Sequence, residues 1–127
     1  MKYLLDTHTA LWALCNKAKL SETAKKVMGD VSITLCVSVV SAWEIAIKTS
    51  LGKLDFAGGS AQFYEKMRQN GIELLGIKDS HIKQVETLPF LHRDPFDRLL
   101  VATAKVEGMS ILTADKNIPK YDVKSVW

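Results

Sequence analysis

Apolar and polar positions follow two different periods along this chain. Short runs rich in aliphatic and β-branched residues predict buried strands at residues 3–5, 32–40, 72–77, 109–113 and 123–126. Apolar residues at helical spacing predict helices at residues 7–14, 22–28, 41–50, 60–70, 79–88 and 96–107. Strands that alternate with helices are typical of βαβ units, so the pattern predicts an α/β fold with a parallel sheet covered by helices on both faces.

Capping and stop residues support the predicted helix boundaries. Ser21 can serve as the N-cap of one helix, and either Asp79 or Ser80 can cap another. Pro95 stands at the first position of the last long helix, where proline is favoured, and Gly108 ends that helix. The chain has 127 residues and shows no internal repeat or linker, so we expect one domain over residues 1–127.

Composition and charge place the chain among ordinary globular proteins. It is 47% hydrophobic and 24% charged, and its formal net charge is +3, which by itself identifies no partner. The two cysteines, Cys15 and Cys36, lie in apolar segments without metal-ligand or redox spacing, so we expect buried, reduced thiols. Asp6 interrupts any apolar core of a signal peptide, and no segment is long and apolar enough to span a bilayer. We therefore expect a cytoplasmic protein.

Four acidic residues stand where a parallel sheet would bring them together. Asp6 ends the first predicted strand, and Asp115 lies just past the fourth. Glu44 and Asp97 fall in the first turns of two predicted helices, whose N-termini lie at the carboxyl edge of the sheet. Ligands of open parallel sheets bind beyond this edge. The sequence thus predicts an acidic site built from residues far apart in the chain.

Such a cluster predicts a bound cation. Two carboxylates about 5 Å apart repel each other by roughly 3 kcal/mol at an effective dielectric constant near 20. Either some of the acids are protonated or a cation lies among them. Oxygen ligands suit Mg²⁺ or Mn²⁺, ions that bind phosphate oxygens and activate water. We therefore predict in-line hydrolysis of a phosphodiester, leaving a 5′-phosphate and a 3′-hydroxyl.

Each acid also has a purely structural interpretation when taken alone. Ser41 and Glu44 fit a capping box at the start of the third helix. Asp94 can cap the last long helix, with Asp97 as an acid favoured in its first turn. The other two acids can form turns after strands. Their joint placement at one edge favours a site over four unrelated caps and turns.

The residues around these acids resemble a known family. Four blocks carry the resemblance, in order over nearly the whole chain: LLDT at 4–7, SAWEIA at 41–46, DPFDRLLVA at 94–102 and LTAD at 112–115. They are similar to the motifs of PIN-domain proteins. More narrowly, the chain resembles the VapC-like toxins of bacterial toxin–antitoxin pairs that carry the block RDPFDRLL, found here at 93–100.

The resemblance implies a PIN-like three-layer α/β/α fold with a small, mostly parallel sheet of four to five strands. It implies an endoribonuclease dependent on Mg²⁺ or Mn²⁺, with an antitoxin partner and a homodimeric state. Metal binding and catalysis would fall on four acids and one additional candidate: Asp6, Glu44, Asp97, Asp115 and Asp94. Thr7 and Thr113 would support the site. Three basic residues are candidates for RNA contact: Lys48, Arg93 and Arg98.

Two departures from the family pattern leave questions open. His8 stands where many members have Ser or Asn, and Asp94 is an extra acid one helical turn before Asp97. An aspartate-based phosphatase with Asp6 as nucleophile is an alternative, but such enzymes usually carry a second Asp at the position of His8. A receiver-like signalling domain is a weaker alternative because Asp6 stands alone. A PIN-like binding module without activity is a third.

Four further residues carry expectations that the structure can test. His81 is expected on a helix surface, and His92 either touches substrate or is exposed. Trp12 and Trp43 are expected in the core.

Overall fold

The computed structural model describes residues 1–127, which form five strands and six α-helices. The strands are β1 (Lys2–Leu5), β2 (Thr34–Ser38), β3 (Glu73–Leu75), β4 (Ser110–Leu112) and β5 (Ser125–Val126). The α-helices are α1 (Thr7–Cys15), α2 (Glu22–Gly29), α3 (Val39–Ser50), α4 (Gly59–Gln69), α5 (Asp79–Thr87) and α6 (Pro95–Glu107). Two 3₁₀ turns lie at Lys17–Lys19 and Ile118–Lys120.

All neighbouring strands pair in parallel, in the order β3-β2-β1-β4-β5. Alternate residues of β1 point to opposite faces of the sheet, so Leu5 and Leu4 belong to two separate hydrophobic clusters. One cluster includes Phe63 and Met67 of α4, and the other includes Leu100 of α6. The predicted three-layer α/β/α arrangement and parallel sheet are thereby confirmed.

The register of β1 sets the position of the acidic edge. Leu5, the last residue of β1, lies opposite Val37 of β2 on one side and Leu112 of β4 on the other. Asp6 therefore emerges between the ends of β2 and β4, directly beside Thr113. A central strand flanked by crossovers on both sides is the arrangement that creates a crevice at the carboxyl edge of a doubly wound sheet.

The start of α3 differs from the prediction. We expected β2 to extend to residue 40 and a helix from residue 41, but β2 ends at Ser38 and the helix begins at Val39. Ser38 is the N-cap, and its hydroxyl accepts the backbone N–H of Val40 at 3.0 Å. The local cap and the burial of Val40 outweigh the β-propensity of paired valines. The capping box predicted from Ser41 to Glu44 is therefore wrong.

Replacing the true cap tests this boundary. Ser38→Ala is expected to lower the free energy of unfolding by about 1 kcal/mol, because the Val40 N–H loses its acceptor in a buried position. Urea denaturation followed by circular dichroism measures this loss. Ser50→Ala is the control, because the Ser50 hydroxyl is exposed and bonds only to the Ile47 carbonyl. Equal stability of both variants would place the cap elsewhere.

His81 is buried, contrary to the expectation of a surface position. It is 1% exposed because α5 packs against α6. Its Nδ1 accepts the backbone N–H of Lys78 at 3.1 Å, and its Nε2 lies 2.9 Å from Glu107 Oε1. His81 thus provides the acceptor for the Lys78 N–H at the start of α5, which an apolar side chain at position 81 would leave without a partner.

Two other burial expectations are wrong, one is confirmed, and Trp12 is partly buried rather than fully in the core. Cys15 is exposed because it ends α1, whereas Cys36 is buried in β2 as expected. Trp43 is 58% exposed and contacts Phe96 edge-to-face, with ring centroids 5.1 Å apart. Trp12 packs against the hydrophobic cluster of α1 and α4. None of the helices combines the length and apolar character needed to cross a bilayer.

Candidate active site

Asp6 lies at the centre of the acidic edge and is held by two neighbours. It is 3% exposed and is the N-cap of α1, where Oδ1 accepts the Thr9 backbone N–H at 2.8 Å. Its Oδ2 accepts a short hydrogen bond from the Thr113 hydroxyl, which in turn accepts the Asp115 N–H at 2.9 Å. Thr113 therefore ties the end of β1 to the loop after β4 and fixes both acids relative to each other.

Asp94 and Asp97 come from the start of α6. Asp94 is the N-cap, and its Oδ1 accepts the backbone N–H groups of Phe96 and Asp97 at 2.9 and 3.1 Å. This oxygen is thus fully used in capping α6, in agreement with the interpretation of Asp94 as a helix cap. The Asp97 side chain is 16% exposed, and its Oδ2 lies 3.2 Å from His92 Nε2.

The pKa of Asp97 reflects the charges of the neighbouring acids. Burial, the largest cause, and the charge of Asp94 raise the pKa of Asp97 to about 7, while the hydrogen bond from His92 opposes the increase. Asp115 and Asp6 also contribute to raising this pKa. The structure therefore brings Asp6, Asp94, Asp97 and Asp115 together. Without a counter-ion, Asp97 is substantially protonated near neutral pH.

Glu44 belongs to the second turn of α3 rather than to the predicted first turn, and it is not among the charged groups that act on Asp97. It is 5% exposed, and its Oε2 accepts a hydrogen bond from Lys48 Nζ at 2.6 Å. The buried Thr7 hydroxyl donates to Ser41 Oγ at 2.9 Å and joins the start of α1 to α3. Thr7 thus supports the position of α3, and Lys48 supplies the counter-charge to Glu44.

Four acids keep one oxygen without a partner in the protein: Asp94 Oδ2, Asp97 Oδ1, Asp115 Oδ2 and Glu44 Oε1. These oxygens reach solvent, because the only fully buried side-chain oxygen or nitrogen lacking a partner is Thr49 Oγ1. Asp6 and Asp115 also line an open hollow together with His8, Trp12 and Ala114. The edge therefore presents carboxylate oxygens to a ligand.

The acids form an open cluster rather than a closed cage. No three acidic, histidine or cysteine side chains are arranged as ligands of one metal ion. The donor set nevertheless fits a hard divalent cation, because it consists of carboxylate oxygens that repel one another.

The three basic candidates differ in their availability to RNA. Arg93 is exposed, and Lys48 is half-buried against Glu44. Arg98 is 7% exposed, and its Nη1 donates to both the Pro89 carbonyl and the Tyr121 hydroxyl at 3.0 Å. This burial argues against the predicted RNA contact of Arg98, which has a structural role instead.

The sequence pattern does not indicate two residues that lie near Asp97. His92 is predicted to be exposed or to contact substrate, but it bonds to Asp97 and its side chain is 10% exposed. No sequence motif marks Tyr121, whose hydroxyl lies 2.7 Å from His92 Nδ1. The two residues are 29 positions apart, so no motif spacing could have linked them.

A comparison with protein families decides the classification. The model of the PIN domain matches residues 3–124, which is nearly the whole chain. The chain belongs to the PIN-domain family. Among curated PIN-domain relatives, Ribonuclease VapC22 of Mycobacterium tuberculosis is 27% identical over 119 residues, covering 93% of this chain and 90% of that protein.

Solved structures agree with the PIN fold. VapBC2 from Rickettsia felis, bound to a DNA fragment from its promoter, contains a chain that superposes with a TM-score of 0.72 at 14% identity. That match covers 99% of this chain and 98% of the other. VapBC-1 from nontypeable Haemophilus influenzae gives a TM-score of 0.73 at 14% identity, covering 99% and 97%. The architecture is thus retained where the sequences have diverged widely.

Proposed function

We propose that this protein is a metal-dependent endoribonuclease and the toxin of a toxin–antitoxin pair, with its PIN domain spanning residues 1–127. The observation that carries the activity is the crowding of Asp6, Asp97 and Asp115 at one sheet edge, where their neighbours raise the pKa of Asp97 to about 7. The relationship to a protein named Ribonuclease VapC22, across nearly the full length of both chains, supports RNA as the substrate.

Mg²⁺ or Mn²⁺ is the proposed ion. VapC-type PIN-domain nucleases generally depend on a divalent metal, and the four carboxylates Asp6, Glu44, Asp97 and Asp115 supply the oxygen donors that these ions prefer. Asp94 is an additional candidate ligand, because its Oδ1 is bonded to α6 but its Oδ2 has no partner in the protein. When bound, the ion supplies activation of water and stabilisation of charge on the phosphate.

The chain's own residues position the reaction. The Thr9 N–H and the Thr113 hydroxyl hold both oxygens of Asp6, so that its carboxylate keeps one orientation. The free oxygens of Asp97 and Asp115 face solvent, where a phosphodiester can approach. Exposed Arg93 and partly exposed Lys48 would attract the RNA backbone to this edge. Hydrolysis by water would leave a 5′-phosphate and a 3′-hydroxyl.

The proposed partners are a cognate antitoxin and a second copy of the chain. The structural neighbours named VapBC are toxin–antitoxin complexes, which supports an antitoxin partner. The acidic edge is the surface that we propose this antitoxin covers. The proposed setting is the cytoplasm, where RNA and a co-expressed antitoxin are both present.

Cleavage of a structured RNA pool tests the activity directly. Purified protein is incubated with the pool in Mg²⁺, Mn²⁺ or EDTA, and the product ends are characterised by phosphatase and ligase sensitivity. Cleavage that requires metal and leaves a 5′-phosphate is the expected result. Metal binding measured by calorimetry without any cleavage would instead favour a binding module that retains the fold but lacks the activity.

Lys48 gives a further test of the metal site. Lys48→Met is expected to tighten Mn²⁺ binding by up to about 1 kcal/mol, about fivefold in Kd, because the ammonium group no longer competes with the cation for Glu44. Isothermal titration calorimetry measures the change. Lys53→Met is the matched control, since Lys53 is exposed and has no carboxylate within ion-pair distance. Unchanged or weaker binding by Lys48→Met would remove Glu44 from the proposed ligands.

A further inference from the structure

A line of hydrogen bonds runs from the protein interior to Asp97. Arg98 Nη1 lies 3.0 Å from the Tyr121 hydroxyl, which lies 2.7 Å from His92 Nδ1. The opposite ring nitrogen of His92, Nε2, lies 3.2 Å from Asp97 Oδ2. Arg98 and Tyr121 are buried, and the His92 side chain is 10% exposed. The line is therefore largely shielded from water.

The direction of each bond follows from the groups involved. A guanidinium group can only donate, so the Tyr121 oxygen accepts from Arg98. The single hydroxyl hydrogen of Tyr121 is then available for the nearest remaining acceptor, which is His92 Nδ1. A neutral imidazole that accepts at Nδ1 carries its proton on Nε2, and this N–H donates to the Asp97 carboxylate.

The arginine at the inner end is held rigidly. Its Nη1 also donates to the Pro89 carbonyl at 3.0 Å, and its guanidinium carbon lies 4.5 Å from the centroid of the Phe90 ring. A fixed cation at this end leaves the Tyr121 hydroxyl only one orientation that satisfies both neighbours. The donor and acceptor roles along the line are thereby fixed, starting from Arg98 and ending at Asp97.

We propose that Arg98 and Tyr121 fix the tautomer of His92, and that His92 thereby orients Asp97 for ligand binding. His92 holds Oδ2 of Asp97 and leaves Oδ1 without a protein partner, facing solvent. The bond to His92 therefore determines which oxygen of Asp97 is left for a ligand. Tyr121 and His92 are positioning residues in this arrangement. The hydrogen-bond order is independent of a metal, whereas its effect on ligand binding rests on the proposed function.

The ring tautomer can be measured without metal or RNA. Two-bond ¹H–¹⁵N spectra of uniformly labelled, metal-free protein at pH 8 distinguish a protonated from an unprotonated Nδ1. His92 is expected to show one tautomer, with its proton on Nε2. His81 provides an internal reference of the same tautomer, since its Nδ1 accepts the Lys78 backbone N–H. A proton on Nδ1 of His92 in the wild-type protein would overturn the proposal.

Tyr121→Phe removes only the hydroxyl group. The variant is expected to lose the single tautomer of His92 while His81 keeps its own, and to bind Mn²⁺ about 10- to 100-fold more weakly, the range typical when a group that orients a metal ligand is removed. Tyr64→Phe is the matched control, because Tyr64 packs on the opposite hydrophobic cluster and its hydroxyl has no partner in the protein.

The outcomes separate this proposal from the proposed function. An unchanged His92 tautomer together with unchanged Mn²⁺ affinity in Tyr121→Phe would refute the positioning role. If wild-type protein binds no Mn²⁺ but the tautomer changes as expected, the hydrogen-bond order stands and the metal site is wrong. A general loss of structure in the variant would alter the His81 signals as well, and the wild-type tautomer alone then decides.

Discussion

Asp6→Asn is expected to reduce RNA cleavage by about 10²–10³-fold or more while leaving the protein folded. Asp6 is a buried carboxyl group among the acids that act on Asp97, and loss of a comparable electrostatic group in other enzymes costs this much. The asparagine oxygen can still accept the Thr9 N–H, so α1 keeps its cap. The altered bond to Thr113 is expected to cost about 1 kcal/mol of stability.

Initial cleavage rates and melting temperatures of the wild type and the variant test this expectation together. Asp122→Asn is the matched control, because the Asp122 carboxylate is fully exposed and lies 3.7 Å from Lys105. It makes the same chemical change far from the acidic edge, so its cleavage rate should equal that of the wild type. Normal cleavage by Asp6→Asn would show that Asp6 is not part of the active site.

Mg²⁺ is expected to raise the melting temperature more at pH 8 than at pH 5.5. An ion bound only by the folded protein, at a hundred times its Kd, stabilises it by about 2.7 kcal/mol. For a domain of this size, that gain corresponds to about 10 °C in Tm. Because the pKa of Asp97 is about 7, a proton must leave before this carboxylate can bind the ion at pH 5.5.

The same pKa determines the behaviour of the metal-free protein. Asp97 has a higher pKa in the folded state than the ordinary aspartate value of 3.8, so the folded state binds this proton more tightly than the unfolded state. The contribution of Asp97 to the free energy of unfolding therefore falls as pH rises from about 4 to about 7. Mg²⁺ offsets a repulsion that is fully developed only above this range.

Calorimetric melting in Mg²⁺ and in EDTA, at both pH values, measures the two effects. Asp97→Asn is the informative variant, because it removes the titrating group and should make the metal-induced shift smaller and less dependent on pH. Equal shifts for the wild type at pH 5.5 and pH 8 would show that Asp97 does not bind the ion.

The gathering of the acids followed from general rules of chain topology. Asp6 and Asp115 come directly after strands, and parallel strands end at one edge, so their proximity required no knowledge of side-chain packing. The start of α3 was harder, because Val39 and Val40 have high β-propensity and only the tertiary context makes them helical. Because α3 begins at Val39, Glu44 is too far from the N-cap to form the predicted capping box.

Contacts between distant segments could not be predicted from the sequence. His92 and Tyr121 meet only because the 3₁₀ turn after β4 packs against the start of α6. The charge of Arg98 and its position in a motif predicted an RNA contact, but its hydrogen bonds to the Pro89 carbonyl and the Tyr121 hydroxyl keep the side chain buried. Such pairings depend on the packing of helices on the sheet, which local patterns do not encode.

The bond between Thr113 and Asp6 also has a consequence for biosynthesis. The two residues are 107 positions apart, and β1 remains without its neighbour β4 until the later segment has been made. A nascent chain therefore carries Asp6 long before it can carry a complete site. An activity that needs both ends of this bond therefore cannot arise until the segment through Thr113 has been synthesised and has folded.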